Sequence, residues 1–262
     1  MSPAERVERD GMQEAGKVTR LVDGRPRIIA GLPLVVPVAG LLPGQMDQEA
    51  FAAQIRDLIA RCRRMPETGR RFLLEQYEYA GMARKVAGAG SAGTRCWIVL
   101  MLGRDESGPL FLQAKEAEAP VLSRFAGAGK YASMGRRAAT GQRLMQASSG
   151  IFPGWQRAEA GLDGRQRDFC VRQLRDWKYS IAIEALVPRG MRSYGERCGR
   201  TLARAHARWG DRIAIAACLG GSGVFGQAIT EFAAACVGQA ERDHQALSGA
   251  VAAGRLPAGP GM

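Results

Sequence analysis

The sequence predicts an α+β fold: a small antiparallel sheet with a glycine-rich turn and one helix, followed by a mainly helical region. Three observations lead there. Residues 94–102 and 110–115 are short runs rich in β-branched, aromatic and other apolar side chains. The turn-like segment GRDESG separates them, which is the pattern of neighbouring strands. Between residues 133 and 147, Met134, Ala138, Leu144 and Met145 fall in a stretch of helical character. In the last third of the chain, apolar residues return every three or four positions, as on one side of a helix.

Taken in order, residues 1–45 read as loosely organised. Arg27-Ile28-Ile29 and Leu34-Val35-Val36 are short extended pieces broken by Pro26, Pro33, Pro37 and Pro43. Residues 48–63 predict a helix with Phe51, Ile55, Leu58 and Cys62 on one face, Asp47 as its N-cap and Pro66 beyond its end. A second short helix is expected over 72–77, ahead of the first strand of the sheet. The strands 94–102 and 110–115 follow, then the helix 133–147 and a further strand over 168–174. Towards the C-terminus, Met191, Tyr194, Cys198, Leu202, Ala205 and Trp209 form one helical stripe. Glu196, Arg200, Arg204 and Arg208 form another, which reads as a solvated face. Phe225, Ile229, Phe232, Cys236 and Leu247 continue the helical pattern, and the proline- and glycine-containing end reads as a disordered tail. The expected organisation is therefore an N-terminal segment 1–80, a sheet lobe 81–180, a helical lobe 181–255 and a tail 256–262.

Composition limits the function classes. The chain has 262 residues, 46% of them hydrophobic, enough to bury a real core. No apolar run approaches the roughly 18 residues of a membrane span, and the opening MSPAERVERD lacks the apolar stretch of a secretory signal. Six cysteines are widely spread, with no C-x-x-C pair, and there are two histidines. Most of the cysteines stand in apolar patterns, where a thiol behaves as a small hydrophobe. A reduced cytoplasmic protein is expected, with no structural metal and no membrane partner. The formal net charge is +12. Such a charge suits nucleic acid or phosphorylated small molecules, but no helix-turn-helix, zinc or RNA-recognition signature accompanies it, so nucleic acid is the weakest reading.

The sharpest motif is Gly88-x-Gly90-x-x-Gly93. In a dinucleotide fold the third glycine opens a helix that holds a pyrophosphate. Here it opens the strand 94–102. The order is strand, glycine loop, strand, turn, strand with Lys115. That is the order of a kinase-like nucleotide flap, in which backbone amides cover the phosphates and a strand lysine grips them. Glycines suit the task because no Cβ holds the backbone away from a phosphate. Gly88, Gly90, Ser91, Gly93 and Lys115 are the candidate ligand-binding residues, with ATP as the candidate ligand. A plain hairpin turn with a surface lysine fits the same residues.

The blocks KVAGAGSAGTRCWIVLMLG, PLFLQAKEA, GQRLMQASSGIFPGW, DFCVRQLRDWK and YGERCGRTLARAHARWGD, followed by QAERDHQAL, resemble the bacterial family known as domain of unknown function 2252. The chain resembles the later portion of that family, which is remotely similar to protein kinases and small-molecule phosphotransferases. The resemblance implies a protein-kinase-like fold and establishes no substrate. Family members carry, ahead of this region, blocks of the types GD-x-H-x-x-N-F-G and F-D-x-N-D-F-D, which look like a catalytic-base loop and metal-binding acids. Neither occurs here; the one Gly-Asp dipeptide, Gly210-Asp211, continues as Arg-Ile-Ala-Ile. Nucleotide binding is therefore expected, while no catalytic or metal-binding residue is assigned.

Phosphoryl transfer depends on positioning and on charge neutralisation by magnesium held on acidic and amide groups. A companion chain would have to supply such groups. The alternative is a non-catalytic remnant, or pseudokinase. The helix 133–147 offers Lys115 no acid, because no Asp or Glu stands between Lys130 and Gly150. Gln142 or Gln146 can hydrogen-bond it, whereas Glu116 and Glu118 belong on the opposite face of the strand. His206 reads as a structural residue tied to Asp211, with a catalytic base as the alternative because imidazole titrates near neutrality. Arg172, Arg175, Asp176 and Lys178 form a cluster that suits either a nucleotide contact or a polar strand end.

Overall fold

A computed structural model describes residues 16, 18–41, 59–60, 68–86, 93–103, 108–127, 129–146, 154–159, 164–174 and 181–256. Its architecture is mixed α+β, as expected, but the sheet is larger than the sequence suggested. Among the described residues a six-stranded antiparallel sheet runs in the order β3-β4-β5-β6-β8-β7. Its strands are β3 (Val35–Pro37), β4 (Tyr77–Lys85), β5 (Cys96–Gly103), β6 (Leu110–Glu116), β7 (Gly154–Ala158) and β8 (Arg167–Gln173). A separate hairpin pairs β1 (Thr19–Val22) with β2 (Arg25–Ile28). Asp23 and Gly24 link them at φ 51° and 73°. Two successive positive φ angles match the right-handed twist of a two-residue hairpin, and Asp-Gly tolerates them. The N-terminal region is thus more organised than its prolines implied.

β5 is buried on both faces, which explains why CWIVLM reads as a continuous apolar run rather than an alternation. Trp97, Val99 and Met101 point to one face, where they meet Leu110, Leu112, Phe169, Val171, Tyr77 and Leu74 of α1 (Thr68–Glu75). Ile98 and Leu100 point to the other, with Val18, Val35, Ala83, Phe111 and Leu174. The short helix expected over 72–77 lies earlier, at Thr68–Glu75. Tyr77 instead opens β4, because its ring is buried in the first of these cores. Of the helix expected over 48–63, only Ile59 and Ala60 are described, and both are helical.

α2 (Ser123–Ala126) is a single turn between β6 and α3 (Met134–Met145). Ser133 is the N-cap of α3, its hydroxyl accepting from the Arg136 amide at 3.2 Å. α3 lies against β7 and β8 at very close range. A Cβ on Gly135 would stand 2.4 Å from the Phe169 carbonyl oxygen, so only glycine permits this approach.

Residues 1–205 and 206–262 form two compact units. α4 (Pro188–Trp209) runs across the division; α5 (Arg212–Leu219) and α6 (Val224–Ala252) belong to the second. Asp211 caps α5 through Ile213 and Ala214, whose amides donate at 2.9 and 3.1 Å. The helical content matches expectation, but the apolar stripe does not form a core. Ala205 is buried, while Met191, Leu202 and Trp209 are exposed, as are Ile213 at 76% and Phe232 at 67%. Among the described cysteines, Cys96 is buried and Cys170 half-buried, but Cys198, Cys218 and Cys236 are exposed and do not pack as the small hydrophobes expected; Cys62 lies outside the described residues. No single described helix is long and apolar enough to cross a membrane; α5 and α6 pass that test only together, bent by 83°. The tail 257–262 lies outside the described residues.

Candidate functional site

Antiparallel pairing places opposite residues on the same face of a sheet. Lys115 is the register partner of Cys96 on one side and of Cys170 on the other. Gln113, one step along the same face of β6, pairs with Ile98 and with Arg172. This face therefore carries Cys96, Gln113, Lys115, Cys170 and Arg172 as a contiguous group. Lys85, the last residue of β4, lies on it too, since its neighbour Ala83 pairs with Ile98. Gly93 stands three residues before Cys96 at φ 80°, a left-handed conformation that favours glycine. Gly88, Gly90 and Ser91 lie outside the described residues.

Gln113 is only 3% exposed, an uncharged amide inside an apolar strand. Its Oε1 accepts from Nε and Nη2 of Arg172 at 3.2 and 3.1 Å. Burial pushes the Cys96 thiol pKa up; Lys115, a hydrogen bond with the Gln113 carboxamide, Lys85 and Arg172 oppose that rise. Burial raises Cys170 as well, against Arg172, Arg143 and Lys115. Both thiols are thus held in the protonated state, and both sense Lys115 and Arg172, with Lys85 of β4 adding at Cys96 and Arg143 of α3 at Cys170.

The lysine has no acidic partner among the described residues. α3 contains no Asp or Glu, and its Gln142 bonds the C-cap Gln146, Nε2 donating to Oε1 at 3.1 Å, rather than reaching Lys115. Glu116 turns to the opposite face, as strand alternation requires. There it accepts from the Arg95 amide at 2.8 Å and pairs with Arg167 at 2.9 Å, both side chains of that pair 8% exposed.

A second polar group fixes α3 beside this face. Arg157 donates from Nε and Nη2 to the Asp168 carboxylate at 2.8 and 3.0 Å, and from Nη2 to the Ala132 carbonyl at 2.9 Å. The Met134 amide also donates to Asp168, at 2.7 Å. The Arg157 hydrogen bond is the main reason the Asp168 carboxyl lies below its usual pKa, with the Met134 amide acting in the same direction against desolvation.

Of the remaining candidates, His206 is exposed and makes no hydrogen bond to Asp211, whose carboxylate caps α5 instead. Arg172 joins the lysine face, whereas Arg175, Asp176 and Lys178 lie outside the described residues. Sequence reading named Arg172 but missed Gln113. Its one visible signal was a glutamine interrupting the apolar run of LFLQAK. Among the described residues, no cluster of His, Cys, Asp and Glu is placed to hold a metal.

Fold and site define an α+β protein with an antiparallel sheet, one face of which gathers cationic side chains around a strand lysine. The chain belongs to the bacterial family described as "Uncharacterized protein conserved in bacteria (DUF2252)", whose pattern it matches over residues 3–250. No curated protein and no solved structure matches it.

Proposed function

We propose that this protein binds ATP by a kinase-like flap. The backbone of Gly88, Gly90, Ser91 and Gly93 covers the phosphates and Lys115 grips them. Phosphoryl transfer, on this reading, requires acids from a companion chain, and the protein alone binds without turnover. The observation that carries the proposal is the register of β5 on β6. Cys96, three residues after Gly93, lies opposite Lys115, so the start of the strand that follows the glycine segment stands beside the lysine. The lack of an acidic partner for Lys115 among the described residues supports binding over catalysis. In active kinases a lysine–glutamate ion pair on the neighbouring helix must be in place.

Titration calorimetry with ATP, with and without magnesium, tests this on the wild type and Lys115→Ala. Saturable binding that weakens about tenfold or more in the variant is expected, the loss of a charge-assisted contact. A folded wild type that shows no heat of binding up to millimolar ATP would refute the proposal.

A further inference from the structure

We propose that Arg172, seated by Gln113, is a second anion-gripping cation beside Lys115, so that this face takes a ligand with two adjacent anionic groups, a linear diphosphate or triphosphate. The inference rests on the reading of Lys115 as a phosphate grip and adds a residue and a ligand geometry to it. Lys115 lies opposite Cys170 on β8 and Arg172 is two residues further along. The two cations are therefore diagonal neighbours on one face, with roots roughly 7 Å apart, within reach of one another's ligands for side chains this long.

The partner chosen for Arg172 distinguishes a binding role from a structural one. Charged groups taken out of water are ordinarily paired with an opposite charge, and a carboxylate at this position would cancel the charge of Arg172. Gln113 instead offers one oxygen, Oε1, to both Nε and Nη2 and leaves the charge whole. Nη1 carries no hydrogen bond among the described residues, so a planar pair of donors remains for an incoming oxyanion. Lys85 and Arg143 lie close enough to add to the same field, as the Cys96 and Cys170 thiols register. Lys115 and Arg172, two like charges on one face, repel until an anion arrives.

The test compares wild type, Arg172→Ala, Gln113→Glu and Lys115→Ala for binding of ATP and of inorganic tripolyphosphate, with a thermal melt of each. Gln113→Glu is the informative variant, because it keeps an acceptor beside Arg172 and removes the net charge. Both Arg172→Ala and Gln113→Glu should weaken tripolyphosphate and ATP by about tenfold or more, with the melt of Gln113→Glu unchanged or raised. If Lys115→Ala abolishes binding while the other two bind within about twofold of wild type, a spread smaller than one charge-assisted contact, Arg172 is structural and the inference falls alone. If wild type binds tripolyphosphate but not ATP, and Arg172→Ala loses it, the two-cation grip stands and ATP is not the ligand. If wild type binds neither, both readings fall.

Discussion

Replacing Gly135 by alanine isolates how α3 is held on the sheet. The new Cβ would sit 2.4 Å from the Phe169 carbonyl oxygen, 2.9 Å from its carbon and 3.1 Å from its nitrogen. All three are backbone atoms of a central strand, so the helix must give way by about 1 Å to restore van der Waals distance. Overpacking of this kind costs about 1–3 kcal/mol. The shift also pulls the Met134 amide from Asp168, now at 2.7 Å, a charge-assisted bond worth about 1.5–3 kcal/mol. Against this, alanine in place of glycine inside a helix returns about 1 kcal/mol. The expected net loss is about 1.5–5 kcal/mol, read as a fall in the urea midpoint at unchanged slope. Gly141, on the same helix, meets nothing within 4 Å, so Gly141→Ala is a matched control that should gain up to about 1 kcal/mol. Equal midpoints for the two variants would refute the close-approach reasoning.

Two further outcomes are expected. Asp168→Asn should cost about 1.5–3 kcal/mol at neutral pH, because Arg157 and the amide of Met134 lose a charged acceptor. The folded Asp168 pKa is depressed, so this stability is fully present above the unfolded value of about 3.9 and is lost as pH falls through the folded one. Urea midpoints of wild type and variant should therefore converge in acid, and a constant gap down to the acid limb would contradict the assignment. Asp211→Ala removes the cap of α5 and should cost about 1 kcal/mol, seen as faster amide exchange at Ile213 and Ala214; unchanged exchange at both would show that the cap is not what protects them.

The strands β5, β6 and β8 were legible because each concentrates apolar residues between turn signals, and the burial of Ile98, Leu100, Leu110 and Phe111 follows from that pattern. β7 was not. Gly-Trp-Gln-Arg-Ala has no apolar run, and what holds it is an edge pairing reinforced by Arg157 on Asp168, eleven residues away. The extended pieces 27–29 and 34–36 overlap β2 and β3, but β1 and its pairing with β2 were not read from Asp23-Gly24, because Pro26 interrupts the strand pattern. At the site, alternation placed Glu116 correctly on the far face. The contact between Gln113 and Arg172 spans 59 residues and depends on the register of β8 on β6, which no local pattern encodes. In the last third, periodicity revealed helices but not what, if anything, covers their apolar sides.

Glu116 stands next to Lys115 and works on the opposite face. By accepting from the amide of Arg95 and from Arg167, and by donating its own amide to the Arg95 carbonyl at 2.8 Å, it ties the entrance of β5, the end of β6 and the start of β8 together. The strand ends beneath Lys115 are therefore fixed by folding itself. Association ordinarily costs conformational entropy for each residue it immobilises. If Lys115 grips a phosphate as proposed, the ordering of these strand ends would not subtract from affinity.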